Sequence, residues 1–229
     1  MSWLLLDTAC PRAMVGIARD QKIVASIYLN ETIRHGEKLA GAINDCLKAA
    51  ALDIQQLKGV AVGRGPGSFV GVRVAIAHAK GICMALQIPL VGICTLSAIA
   101  AAKNLPLVEG MAFLDARRGE FYARHMKRLE KNGKLQIISL GEPIVLSALD
   151  IEKLALKEGM GGFYTLAINT EYFEQSGVLA EGMLLLLQQQ LKSMTAGENI
   201  DDTFTLVPAY VRAPDAKMAA SYKTVLTLT

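Results

Sequence analysis

The chain has 229 residues, 52% of them hydrophobic, with a mean hydropathy of +0.33 and a formal net charge of +3. That supplies a sizeable core and excludes disorder over most of the length, while a pI near 8.6 is too mild to mark a nucleic-acid binder without a concentrated patch. No apolar run reaches the roughly 18 to 20 residues of a membrane helix, and the apolar start is broken by Asp7 without a basic leader, so the expectation is a cytoplasmic protein whose surplus hydrophobicity lies in a subunit interface.

The first elements are short strands, Trp3 to Thr8, Met14 to Arg19 and Ile23 to Leu29, separated by polar turns and read as an antiparallel meander. A helix follows from His35 to Ala51, with Leu39, Ile43, Leu47 and Ala50 on one stripe. Val60 to Val62 is a buried strand, Ser68 to Leu86 a second helix, Pro89 to Ile93 a strand and Leu96 to Ala102 a short helix. Three strands, then helix, strand, helix, strand, helix imply a mixed α/β sheet covered by helices.

Asn104 to Pro106 reads as a linker, after which Met111 to Ala116 restarts the pattern with a strand ending on an acid, Asp115, as the first ended on Asp7. Glu120 to Arg128 and Lys134 to Leu140 form a long hairpin around Asn132-Gly133. Ser147 caps a helix carrying Ile151, Leu154 and Ala155, which Gly159 ends. A strand at Tyr164 to Ile168 and a helix around Val178 to Met194 follow. The boundaries are therefore 1–103 for an N-terminal unit, 104–212 for a related, reduced C-terminal unit and 213–229 for a tail without periodicity.

Gly63-Arg64-Gly65-Pro66-Gly67-Ser68 lies between a strand and a helix, where backbone N–H groups can receive an anion. Ser68-Phe69 stands in place of the lysine and hydroxyl of a Walker sequence, so a phosphate loop and a plain strand-to-helix turn capped by Ser68 both stay open. The helix behind it carries two apolar stripes, Val72/Ile76/Ala79/Cys83/Leu86 and Val70/Val74/Ala77/Gly81/Met84. One covers the sheet; the other, with its small residues, suits a partner helix. Together with Leu39, Ile43 and Leu47 it predicts a helical layer that docks on a second protein.

Cys10, Cys46, Cys83 and Cys94 form no CxxC pair and read as buried thiols of a reducing compartment. Histidines 35, 78 and 125 are too dispersed for a metal set. The basic cluster Arg117, Arg118, Arg124, Lys127, Arg128, Lys131 and Lys134 reads foremost as the solvated face of a hairpin and secondarily as an RNA contact.

Leu6-Asp7-Thr8, His35-Gly36-Glu37-Lys38-Leu39, Ala61 through Arg73, Ala79-Lys80-Gly81, Asp115 through Ala123 and Pro208-Ala209-Tyr210-Val211-Arg212 together resemble the bacterial TsaB (YeaZ) family over nearly the whole chain. The resemblance implies an ASKHA fold of two RNase H-like lobes, the second reduced. It also implies a non-catalytic part in forming threonylcarbamoyladenosine in tRNA, beside the paralogous transferase TsaD and the ATPase TsaE, with tRNA reached through the complex. Dimer contacts would run through the two helices of the first lobe, so His35, Leu39, Ile43, Leu47, Val70, Val74, Ala77, Gly81 and Met84 are the expected partner interface. Two copies of this chain could pair the same way.

Asp7, Gly65, Gly67, Ser68 and Asp115 would then be a vestigial nucleotide loop, and Arg117 and Arg118 a contact to RNA or nucleotide. Cys94-Thr95-Leu96-Ser97-Ala98 stands where the catalytic paralogue carries its metal-binding histidine pair. The first hairpin reads Ala9-Cys10-Pro11, where Pro11 has no N–H to offer a phosphate. No cofactor is expected on this chain alone, ATP and metal belonging to the partners. The enzyme alternative is an ASKHA-type small-molecule kinase built on Asp7 and Asp115; a zinc peptidase lacks any ligand set.

Overall fold

The computed structural model describes residues 1–29, 35–101, 109–157, 178–194 and 205–211. The predicted linker, the stop at Gly159, the strand at Tyr164 to Ile168, Arg212 and the tail 213–229 lie outside these, as does the side chain of His35.

The meander is present as β1 (Ser2–Asp7), β2 (Ala13–Arg19) and β3 (Lys22–Leu29), paired antiparallel. α1 (His35–Ala49) leads to β4 (Leu57–Gly63), parallel to β1, and α2 (Phe69–Leu86) leads to β5 (Leu90–Ile93), parallel to β4. Each parallel neighbour needs a crossover, and the two helices supply them. The resulting order is β3-β2-β1-β4-β5. Both faces of this sheet are covered, which is why Trp3 to Leu6 form an unbroken apolar run without alternation. Leu4 and Leu6 join the core beneath α1 and α2; Trp3 and Leu5 join the core beneath α3 (Thr95–Ala100) and α5 (Val178–Met194).

The second sheet is antiparallel: β6 (Glu109–Arg117), β7 (Glu120–Lys131) and β8 (Lys134–Ser139), with β9 (Ile144–Ser147) also on β7. The sequence reading missed β9, which is four residues long, too short for a period to show. α4 (Ala148–Lys157) starts as expected, with the Ser147 hydroxyl accepting from the Asp150 N–H at 3.2 Å.

The fold corrects several expectations. Leu39, Ile43 and Leu47 are 0%, 4% and 5% exposed, so this stripe of α1 is not available to a partner. It packs on β2 and β3, because the apolar period that marks a helix also marks the side it buries in its own sheet. α5 belongs to the 104–212 unit by position, yet Leu179, Ala180, Met183 and Leu187 pack against the first sheet and α3. The basic cluster is not uniformly solvated either. Arg128 is buried and its guanidinium donates to the Ala100 carbonyl at the end of α3, while Arg124 donates to the Gly141 carbonyl at 2.9 Å and the Ser97 hydroxyl at 3.3 Å. Finally, α2 does pass for a membrane span by length and composition, with mean hydropathy 1.5 over 18 residues, of which 33% are buried. Its inner face packs on β1, β4 and β5, as a sheet-covering helix does.

Candidate functional site

The end of β1, the glycine turn after β4 and the start of α2 converge. Asp7 is wholly buried there; its carboxylate accepts the Ala9 N–H at 2.7 Å and the Thr95 hydroxyl at 2.8 Å. Burial raises its pKa to about 6, against the opposing pull of the Ala9, Thr95 and Cys10 hydrogen bonds. Cys10 beside it is pushed well above the usual thiol value by burial and by the Asp7 charge.

The glycines are explained by how tightly the turn is pressed on residues 7–9. A Cβ at Gly63 would fall on the Asp7 carboxylate, one at Gly67 on the Ala9 carbonyl and one at Gly71 on the Thr8 carbonyl. Gly65 also holds a φ of 88°, in the left-handed region. Thr8 donates its hydroxyl to the Gly71 carbonyl. Two of the backbone donors a phosphate could use are engaged within the chain: the Ser68 N–H goes to the Ala9 carbonyl at 2.8 Å, and the Gly71 N–H to the Ser68 hydroxyl at 3.1 Å, which caps α2. The arrangement does not fit a magnesium nucleotide at Asp7, because both carboxylate oxygens are occupied and Ala9 fills the space over the turn. Nothing here supports the kinase alternative. Among the described residues no group of three or more His, Cys, Asp or Glu side chains is placed to hold a metal.

Asp115 is not brought to Asp7. It is exposed, and its carboxylate accepts the Arg117 N–H at 2.6 Å, stabilising the β6–β7 turn locally. Arg117, Arg118 and Gly119 have φ of 66°, 59° and 76°, which lifts two exposed arginines on a backbone that non-glycine residues seldom adopt.

Of the predicted interface on α2, Val70 is 68% and Met84 55% exposed, Ala77 and Gly81 are exposed, and Val74 is half-buried. His78 beside them is half-buried, with Nδ1 2.9 Å from the Val74 carbonyl. The structure adds residues to this face that the sequence reading passed over. Arg73 lies over the Phe69 ring at 3.6 Å and donates Nε to the Tyr210 hydroxyl at 2.7 Å, and the two rings are 5.4 Å apart. The Ala209 N–H bonds to the Arg64 carbonyl at 2.7 Å. Residues 205–211 are thereby fastened beside α2, with Val207 57% and Tyr210 48% exposed. Arg73 and Tyr210 both stand in family signatures, but 137 positions separate them, and no local pattern pairs such residues.

Comparison with known proteins agrees with this architecture. The family model "TsaD: tRNA N6-adenosine threonylcarbamoyltransferase" matches residues 22–165. An uncharacterised protein of Mycobacterium tuberculosis H37Rv is 31% identical over 221 residues, covering 95% of this chain and 94% of that one. The tRNA threonylcarbamoyladenosine biosynthesis protein TsaB of Escherichia coli K12 is 31% identical over 135 residues, and the match spans 58% of each chain. Among solved structures, YeaZ from Pseudomonas aeruginosa superposes with a TM-score of 0.64 at 24% identity, over 91% of this chain and 99% of that one. With two helix-covered sheets, the five-stranded mixed order and a TsaD-type match over residues 22–165, this chain belongs to the TsaB (YeaZ) family and has its ASKHA-type fold.

Proposed function

We propose that this chain is a non-catalytic subunit of the machinery that forms N6-threonylcarbamoyladenosine in tRNA, docking on the transferase TsaD through the outer face of α2 and helping to seat the ATPase TsaE. ATP and metal are held by those partners, and tRNA is engaged through the complex, with Arg117 and Arg118 as the contact this chain would add. The 1–103 unit carries the docking; the reduced remainder of the chain buttresses it.

The observation that carries this reading is the outer face of α2, where Val70, Ala77, Gly81 and Met84 are exposed on a helix of mean hydropathy 1.5. An apolar strip of small and flexible side chains bordered by an aromatic–arginine cluster has the composition of an interface core. The sealed surroundings of Asp7 support the non-catalytic part.

Gly81 tests it, because the space over it is open and an arginine there leaves the monomer intact. Gly81→Arg is expected to keep the wild-type melting temperature while losing co-purification with TsaD by at least about tenfold, the loss expected when a charge is buried unpaired in an interface. Retention of TsaD at wild-type level would refute the docking face. Depletion of the protein is expected to lower threonylcarbamoyladenosine in bulk tRNA, read by nucleoside mass spectrometry; an unchanged level would refute the pathway itself.

A further inference from the structure

The first and second sheets leave a cleft of about 430 Å³ between them, lined neither by Asp7 nor by Asp115. It opens where β5 ends, and is walled by α5 and the β8–β9 segment. We propose that this cleft binds a small organic oxyanion, a carboxylate or phosphate on a compact apolar body, independently of the docking face on α2.

Two guanidinium groups line it from opposite sheets. Arg64 comes from the glycine turn, and its Nε is buried without a hydrogen-bond partner among the described residues. Arg124 comes from β7; its Nε and Nη1 are spent on Gly141 and Ser97, which holds the charge at the wall. The carboxylate among the lining side chains is Glu142, which is exposed, so the two cations are not neutralised inside.

A guanidinium N–H left dry and unpaired is destabilising, and an oxyanion with its planar or tetrahedral acceptors is the natural complement of such a donor. Gln190, also in the lining, donates its amide to the Gly92 carbonyl at 3.4 Å, and its Oε1 is buried with no donor to accept from among the described residues. The site thus lacks an acceptor at Arg64 and a donor at Gln190. A fully deprotonated inorganic anion such as sulfate satisfies only the first. An organic anion that also carries an N–H or O–H group satisfies both. Ile93, Ile137 and Leu186 supply apolar lining for the hydrocarbon body.

The test uses the full chain and four probes that share this chemistry: 4-hydroxybenzoate and 4-hydroxyphenyl phosphate, with benzoate and phenyl phosphate as partners lacking the donor. Binding is followed by calorimetry and by protein-detected NMR. One of the two hydroxylated probes is expected to bind in the millimolar range or tighter, and its headgroup tells carboxylate from phosphate. Its partner without the hydroxyl should bind several-fold more weakly. Arg64→Gln is expected to weaken binding by about tenfold, the loss of one charge-assisted contact. Its backbone bonds to Ile93 and Ala209 do not depend on the side chain, so its melting temperature stays near wild type. Ser139→Asp, on an exposed residue at the rim, should abolish binding by adding a like charge. Failure of all four probes to bind up to about 10 mM would overturn the proposal. So would binding that Arg64→Gln and Ser139→Asp both leave unchanged.

Discussion

Asp7 is the residue type that a nucleotide-handling site would need, and its carboxylate is wholly buried and hydrogen-bonded within the chain. Its pKa is raised from the usual 3.8 to about 6, chiefly by burial, so the folded chain holds this proton longer than the unfolded chain does. The sign follows: the contribution is complete below pH 4 and is lost as pH rises through about 6, at a cost on the order of 3 kcal/mol. Asp7→Asn keeps the acceptor for Ala9 and can donate to the Thr95 oxygen. It is expected to stabilise the protein at pH 7.5 and to have little effect at pH 4, read from denaturant midpoints at the two pH values. An equal change at both would show that the buried charge is not the cause.

Two glycines of α2 are separable by the same kind of argument. Gly71→Ala places a methyl on the Thr8 carbonyl and should cost about 2–4 kcal/mol. Gly81→Ala meets open space on the same helix and should be neutral or stabilising by up to about 1 kcal/mol. Thermal melts of the two variants check the pair. The sequence displays both as glycines of one helix; only the backbone at Thr8 distinguishes them.

At the scale of elements, α2 is defined by what it touches on each side. Val72, Ala75, Ile76, Ala79 and Cys83 enter the core under the sheet, which is the stripe expected from the period with Ala75 added. The opposite stripe is left exposed by this chain, whereas the corresponding expectation for α1 failed. The difference is composition: α1 has a single apolar stripe and spends it on its own sheet, while α2 has two and can bury only one there. Residues 205–211 then edge the free face through Arg73. Arg73→Ala removes the stacking on Phe69 and the bond to Tyr210, worth about 1–2 kcal/mol locally. Hydrogen exchange at the Ala209 amide is expected to accelerate while the amides within α2 stay protected. Unchanged exchange at Ala209 would mean that its bond to Arg64 alone holds the segment.

Across the whole molecule the two sheets are joined by polar ties as well as by shared core. Arg128 reaches from β7 to the Ala100 carbonyl at the end of α3, and burial lowers its pKa. Gln189 on α5 donates to the Leu135 carbonyl on β8 at 3.3 Å, and Gln190 to Gly92 on β5. Arg128→Met keeps most of the volume but leaves the Ala100 carbonyl without this donor at the end of a buried helix. It should cost about 1–3 kcal/mol, with Lys127→Met, on the exposed neighbour, as a control near zero. Denaturant unfolding of the two variants decides whether the tie is structural.

The sequence by itself determined the strand and helix order of the first sheet, its mixed character, and the Ser68 and Ser147 caps, because period, capping and turn chemistry act over a few residues. It also carried the family, since the long motif from Ala61 to Arg73 is contiguous. Tertiary structure alone decided which stripe of which helix stays free, that α5 returns to the first sheet, that Asp7 meets Thr95, and that Arg73 meets Tyr210. These depend on contacts between segments tens to more than a hundred residues apart, where one amphipathic face matches several surfaces and only the assembled chain selects among them.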